Sequence, residues 1–205
     1  MGTAFIQSFS LFLRTTVGLV TRPYETVRRI VDHGRLFELI FVALLLSAYF
    51  VLASLVKVAQ FRPFLLTREF AVLAAATFLT YTIAVALFWT AGKLVGAQGK
   101  LKGLSVAWGY TLLPTLVWFL ATSILYVILP PPRTTSLQGV LFSFLFLIFS
   151  ATLFFWKVTL GYLTLRFGLR LGLGRILIVL GISVPILVLY SIGMYRLGIF
   201  RIPFL

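Results

Sequence analysis

A chain of 205 residues that is 61% hydrophobic and only 11% charged, with a mean hydropathy of +1.10, cannot cover a water-facing surface, since soluble domains carry about 25% charged residues. Its 18 Lys+Arg against 4 Asp+Glu leave a net charge of +14. The bases are scattered between apolar blocks rather than gathered on one face, so anionic lipid headgroups, not nucleic acid, are the expected counter-charge. The absence of Cys excludes disulfides, thiolate metal sites and S-acylation.

Residues 1–35 read as an interfacial segment. The apolar run 5–20 is short for a span and is interrupted by Arg14, while Phe5, Phe9, Phe12 and Leu13 share one helical face. A second short helix is expected from near Thr21, with Pro23 in its first turn and a stop at Gly34. It would turn Tyr24, Val27, Ile30 and Val31 to one side and set Glu25 within ion-pair reach of Arg28 and Arg29. No positive region precedes the first apolar run, and Gly2 lacks the Ser or Thr of a myristoylation motif. The segment is therefore expected to remain in the mature protein.

Cutting the remaining chain at its charges leaves five uncharged stretches, residues 39–56, 70–92, 103–132, 134–156 and 176–195. Each supplies the roughly 20 apolar residues that cross a hydrocarbon core of about 30 Å, the first by extending back over Leu36 and Phe37. Backbone groups in lipid must pair within their own segment, so each stretch reads as a helix. The expected fold is all-α: a polytopic membrane helical bundle of five transmembrane helices preceded by interfacial amphipathic helices. The spans are placed at about 36–56, 70–92, 104–129, 137–158 and 176–195, within a membrane domain at 36–196 that is followed by a short tail at 197–205. Pro114 is expected to kink the third span, Pro130, Pro131 and Pro132 to end it, and Pro185 to bend the fifth. The stretch 160–174, with Arg166, Arg170 and four glycines, reads as interfacial.

Orientation follows from the positions of Lys and Arg. Arg14, Arg22, Arg28, Arg29 and Arg35, then Lys93, Lys100 and Lys102, then Lys157, Arg166, Arg170 and Arg175 make twelve on the N-terminal side. Lys57, Arg62, Arg68, Arg133, Arg196 and Arg201 make six on the other. The ratio places the N-terminus inside and the C-terminus outside. All four acids, Glu25, Asp32, Glu38 and Glu69, fall in the first 69 residues, so the rest of the chain is acid-free.

Catalytic constellations are missing from this pattern. His33 is the only histidine and no acid follows Glu69, which leaves no metal-ligand set, no Ser–His–Asp group and no paired intramembrane carboxylates. Glu38 reads as a helix-end carboxylate near Arg35, and Lys157, after Trp156 at a span end, as a residue that snorkels to the interface. The run from Gly92 to Gly103 lacks the Walker spacing, because Leu94 stands where its first Gly belongs and Leu101 where its Ser or Thr belongs. Its glycines suit a sharp turn, and Lys93, Lys100 and Lys102 can grip lipid phosphates as point charges. Small and hydroxylated residues such as Ala76, Thr80, Ala84, Thr111 and Thr115 suit close helix packing and interhelical hydrogen bonds.

The turn containing Gly99, Lys100 and Lys102, followed by Gly109-Tyr110 and Pro114, resembles the Yip1 domain family of multi-spanning membrane proteins. Arg22-Pro23-Tyr24-Glu25 is similar to the family's Pro-containing amphipathic segment, Trp156 ends a fourth span, and residues 165–178 resemble the basic linker into a last helix. The resemblance runs over roughly residues 20–195 and implies a five-span bundle with a cytosolic N-terminus. Eukaryotic relatives act in vesicle traffic between endoplasmic reticulum and Golgi and contact small GTPases through long N-terminal regions. The apolar tail of about 35 residues here is more similar to short-tailed prokaryotic members.

The resulting expectation is a non-enzymatic integral protein of the prokaryotic cytoplasmic membrane. It would have no cofactor or metal and would organise lipids or partner proteins. Anionic lipid, a second copy of the chain or another membrane protein would be its partners. Family-motif residues Pro23, Gly99, Lys100, Lys102, Gly109, Tyr110 and Pro114, and interfacial basic residues Arg28, Arg29, Arg166, Arg170 and Arg175, would make the structural and lipid contacts. The alternative is a transporter or channel subunit for a small anionic or neutral solute, because the acid-free region disfavours a carboxylate-lined cation path.

Overall fold

Helices are the only spanning structure open to a chain of apolar blocks that lack the closed pairing of a barrel. The computed structural model describes residues 2–57, 63–128 and 137–198, and these fold into eight α-helices: α1 (Gly2–Thr21), α2 (Pro23–His33), α3 (Glu38–Lys57), α4 (Pro63–Leu94), α5 (Leu101–Tyr110), α6 (Leu113–Ile128), α7 (Leu137–Gly168) and α8 (Leu173–Arg196). Among the described residues there is no strand. Four segments are long and apolar enough to cross a membrane, Phe70–Leu94, Leu101–Leu125, Gly139–Gly168 and Leu173–Arg196. A fifth arises when α3 is counted with α2, from which it bends by 117°.

The helices α8, α4, α3, α6 and α7 pack in that order as a ring, which α7 closes against α8. Into the ring from one end comes α5, packed on α2, α3, α4 and α7 and buried from Gly103 to Tyr110 apart from half-buried Ser105. Two cores flank it. One joins Phe12, Val27, Ile30, Phe41, Val106 and Tyr110, and the other joins Phe88, Leu104, Trp108, Leu169 and Ile176. Large apolar side chains such as Phe78, Phe144, Phe155 and Leu189 point outward, as expected where the solvent is lipid.

The third span is divided. Pro114 has no N–H to give the carbonyl of Tyr110, and helix α5 ends there. Thr111 and Leu112 turn back instead onto Trp108 and Gly109 through backbone bonds of 3.1 and 3.2 Å, and the Thr111 hydroxyl donates to the Trp108 carbonyl at 2.7 Å. Pro185 lies inside α8, which continues through it.

Several sequence expectations are corrected. The stretch 160–174 is not a separate segment from the fourth span, since α7 runs unbroken through Lys157 and Arg166 to Gly168. The second membrane helix begins at Pro63, so Arg68 and Glu69 lie in a helix rather than a loop. A charge ends a span in lipid, but not a helix that has reached headgroups or protein neighbours. Helix α2 has Pro23 at its first position and closes at Gly34, but Glu25 pairs with Arg22 at 3.9 Å rather than with Arg28 or Arg29. Residues 130–133 and 201 lie outside the described part, with the expectations attached to them.

Candidate functional site

The family-motif residues other than Pro23, which opens α2, gather on α5 and the turns at its two ends. Gly96, with φ +85°, makes the turn after α4, and Gly99 meets the turn between α7 and α8. Its N–H donates to the Leu169 carbonyl at 3.3 Å, and a Cβ built on Gly99 would fall on the Gly168 carbonyl oxygen. Lys100 and Lys102 are exposed beside this junction. One turn on, a Cβ at Gly103 would lie 2.6 Å from the Val31 carbonyl, so α2 rides directly on α5. Gly109 is pressed by Leu39 of α3.

Tyr110 anchors a buried polar network. Its hydroxyl donates to Glu38 Oε2 at 2.5 Å, and Glu38 is 6% exposed. The other carboxylate oxygen accepts the Arg35 backbone N–H at 2.9 Å, the reach-back half of a capping box at the start of α3. Buried Thr15 of α1 stands within hydrogen-bonding reach of the Tyr110 oxygen, and Arg29 adds a positive field there. A carboxylate out of water needs such donors, because an unpaired buried charge is strongly unfavourable. The network ties α1, α2, α3 and α5 at the elbow between α2 and α3. In the sequence Glu38 reads as a helix-end carboxylate near Arg35; its chief partner lies 72 residues away and left no local signal.

Three of the five predicted interfacial bases meet. Arg28 of α2, Arg166 of α7 and Arg170 in the turn after α7 line a cleft of about 330 Å³ with Tyr24, Asp32 and Phe167. Tyr24 meets Phe167 edge-on at 4.9 Å between ring centroids and forms an aromatic wall. Arg166 donates to the Tyr162 hydroxyl at 3.1 Å, and Arg170 pairs with Asp32 at 3.7 Å with both side chains well exposed. Arg170 has φ +56°, and Leu171 N–H closes the turn on the Arg166 carbonyl at 3.2 Å. This is a helix C-terminal turn whose left-handed residue is normally glycine. Arg29 is exposed and stands apart from the cleft lining, and Arg175 lies by Gly96.

A second recess, of about 280 Å³, lies between α6 and α7 and is bordered by Thr115, Trp118, Ser150 and Lys157. Lys157 does not snorkel as its position in the sequence suggests. Its Nζ donates to Thr115 Oγ1 at 3.2 Å. Hydroxyls elsewhere join helices, as between Thr80 and Tyr190 at 2.9 Å, and Tyr81 donates to the Ser105 carbonyl at 2.6 Å. Among the described residues no three His, Cys, Asp or Glu gather as a metal site.

The Yip1 domain profile matches residues 17–195, from the last turns of α1 to the end of α8. The chain belongs to the Yip1 domain family. It is an integral membrane protein of that family, and the Gly99, Gly109-Tyr110 and Pro114 positions form the centre of its helix packing. No curated protein and no solved structure matches the chain.

Proposed function

We propose that this Yip1-domain protein is a non-enzymatic membrane organiser that gathers anionic lipid, and through it neighbouring membrane proteins, on the face bearing α1 and α2. We place that face in the cytoplasm of a prokaryotic cell, with the C-terminus across the cytoplasmic membrane. The observation that carries the reading is the convergence of Arg28, Arg166 and Arg170 on one cleft. Guanidinium groups present forked donors that match phosphate oxygens. The Arg170–Asp32 contact, long and exposed, holds little free energy, so a headgroup phosphate can replace Asp32. Backbone strain is also stored at Arg170, and such strain accompanies functional positions.

Arg170→Gly separates the two roles of that residue. It removes a left-handed side chain costing about 1–2 kcal/mol and with it one phosphate ligand. The variant is expected to melt no earlier than the parent while retaining less phosphatidylglycerol through purification, and Arg28→Gln with Arg166→Gln should lose more. Unchanged retention in both variants would reject the reading. Flux of small anionic or neutral solutes in proteoliposomes would instead favour a transporter.

A further inference from the structure

The basic cleft leaves Lys157 unexplained. Residues 137–156 of α7 rise about 30 Å, the thickness of the hydrocarbon core. Lys157 therefore stands at the hydrocarbon margin on the α1–α2 side, and the rest of α7 continues between α2 and α5. Helical side chains lean toward the helix N-terminus, which from Lys157 is toward the bilayer interior. The ammonium group accordingly turns into the recess between α6 and α7 and bonds Thr115 at 3.2 Å.

Polarity along that recess is ordered. At the margin end are the Lys157 ammonium and the Thr115 hydroxyl, which accepts from Nζ and keeps its own proton to donate. One turn further along α6 and two turns back along α7, Trp118 Nε1 donates to Ser150 Oγ at 2.9 Å, and Ser150 donates to the Phe146 carbonyl at 2.8 Å. These groups satisfy each other, so between them and Lys157 the recess offers a ligand chiefly Leu153 and Phe154, with Pro114 beside Thr115 at the margin end. Phe154 is 62% exposed on the outer surface of the ring, which opens the recess sideways to lipid. None of the residues lining it is acidic.

A cation at the membrane margin, with an apolar recess running from it past Leu153 and Phe154 and open to lipid, has the polarity and direction of a leaflet amphiphile. The volume of about 280 Å³ lies at the small end of ligand pockets, roughly 300–1,000 Å³, and suits one chain rather than two. We propose that the recess binds a long-chain fatty acid, with its carboxylate on Lys157 Nζ and Thr115 Oγ1 and its alkyl chain leaving along Leu153 and Phe154 through the side open to lipid. The site is separate from the arginine cleft and does not depend on it.

Delipidated full-length protein in detergent, titrated with palmitate and separately with phosphatidylglycerol and read by native mass spectrometry, tests this. One palmitate per chain is expected, with affinity about tenfold or more weaker in Lys157→Met and largely kept in Lys157→Arg, because a charge-assisted contact is removed or preserved. Leu153→Trp fills the recess while leaving the lysine in place and should also abolish binding. It carries the test alone if Lys157→Met melts early. Arg166→Gln with Arg170→Gln should leave palmitate binding unchanged. Equal palmitate binding in Lys157→Met and Leu153→Trp, loss of palmitate on removing the cleft arginines, or displacement of palmitate by phosphatidylglycerol at matching affinity would overturn the proposal.

Discussion

Gly99 and Gly168 meet backbone to backbone, and no rotamer change can make room for a methyl group between them. Gly99→Ala is therefore expected to lower stability by at least the roughly 1–3 kcal/mol typical of overpacking, read as an earlier melt in detergent and a poor yield. Gly161→Ala and Gly181→Ala, where a Cβ meets nothing within 4 Å, should be neutral or gain up to about 1 kcal/mol, since both lie in helix interiors. Retention of the parent melting temperature by Gly99→Ala would show that this contact is not tight. The network at Tyr110 calls for a different pair of substitutions. Tyr110→Phe leaves Glu38 Oε2 buried without its donor, at an expected cost of about 1–3 kcal/mol. Glu38→Gln keeps an acceptor and removes the charge, so it should cost less; the reverse order in thermal melts would refute this account of the network. The sequence marked Gly99, Gly109, Tyr110 and Pro114 through their order along the chain. It could not show that Tyr110 reaches Glu38, because that contact is made through space.

At the scale of elements, α1 and α2 are structural parts of the bundle rather than floats beside it. Phe12 of α1 stacks on Phe41 of α3 at 5.4 Å and on Tyr110 at 5.9 Å, and Trp156 Nε1 of α7 donates to the Leu19 carbonyl at 3.3 Å. Phe12→Ala should cost about 3–5 kcal/mol and release α1, so trypsin should cut at exposed Arg14 much faster than in the parent. Trp156→Phe, which loses one hydrogen bond worth about 1 kcal/mol, should change the cleavage rate far less. Equal cleavage of parent and Phe12→Ala would mean that α1 is not held by this stack. Amphipathicity made α2 legible, since Val27 and Ile30 fall on its buried face as the spacing predicts. The continuation of α7 past Lys157 was not legible, because a charge in the sequence looks the same whether it ends a span or reaches across to Thr115.

Across the whole molecule, three contacts determine how often the chain crosses. A Cβ at Gly103 would touch the Val31 carbonyl, Gly99 bonds Leu169, and Asp32 pairs with Arg170. The end of α2, the start of α5 and the turn before α8 therefore share one face. Helices α3 and α4 must go out and return between the first two of these points, and the divided span and α7 must do so between the last two. Helix α8 then leaves alone, and the number of crossings is odd. An α3 that failed to cross would strand His33 opposite Gln98, against the contact of α2 with α5. The absence of native cysteine makes this directly measurable. His33→Cys and Gln98→Cys, both exposed, should react with a membrane-impermeant maleimide only after cells are permeabilised. Leu197→Cys, 71% exposed beyond the end of α8, should react without permeabilisation. Labelling of His33→Cys and Gln98→Cys from opposite sides would break the five-span fold. Matched labelling of both from outside would keep the fold and reverse the orientation drawn from the twelve basic residues on their side.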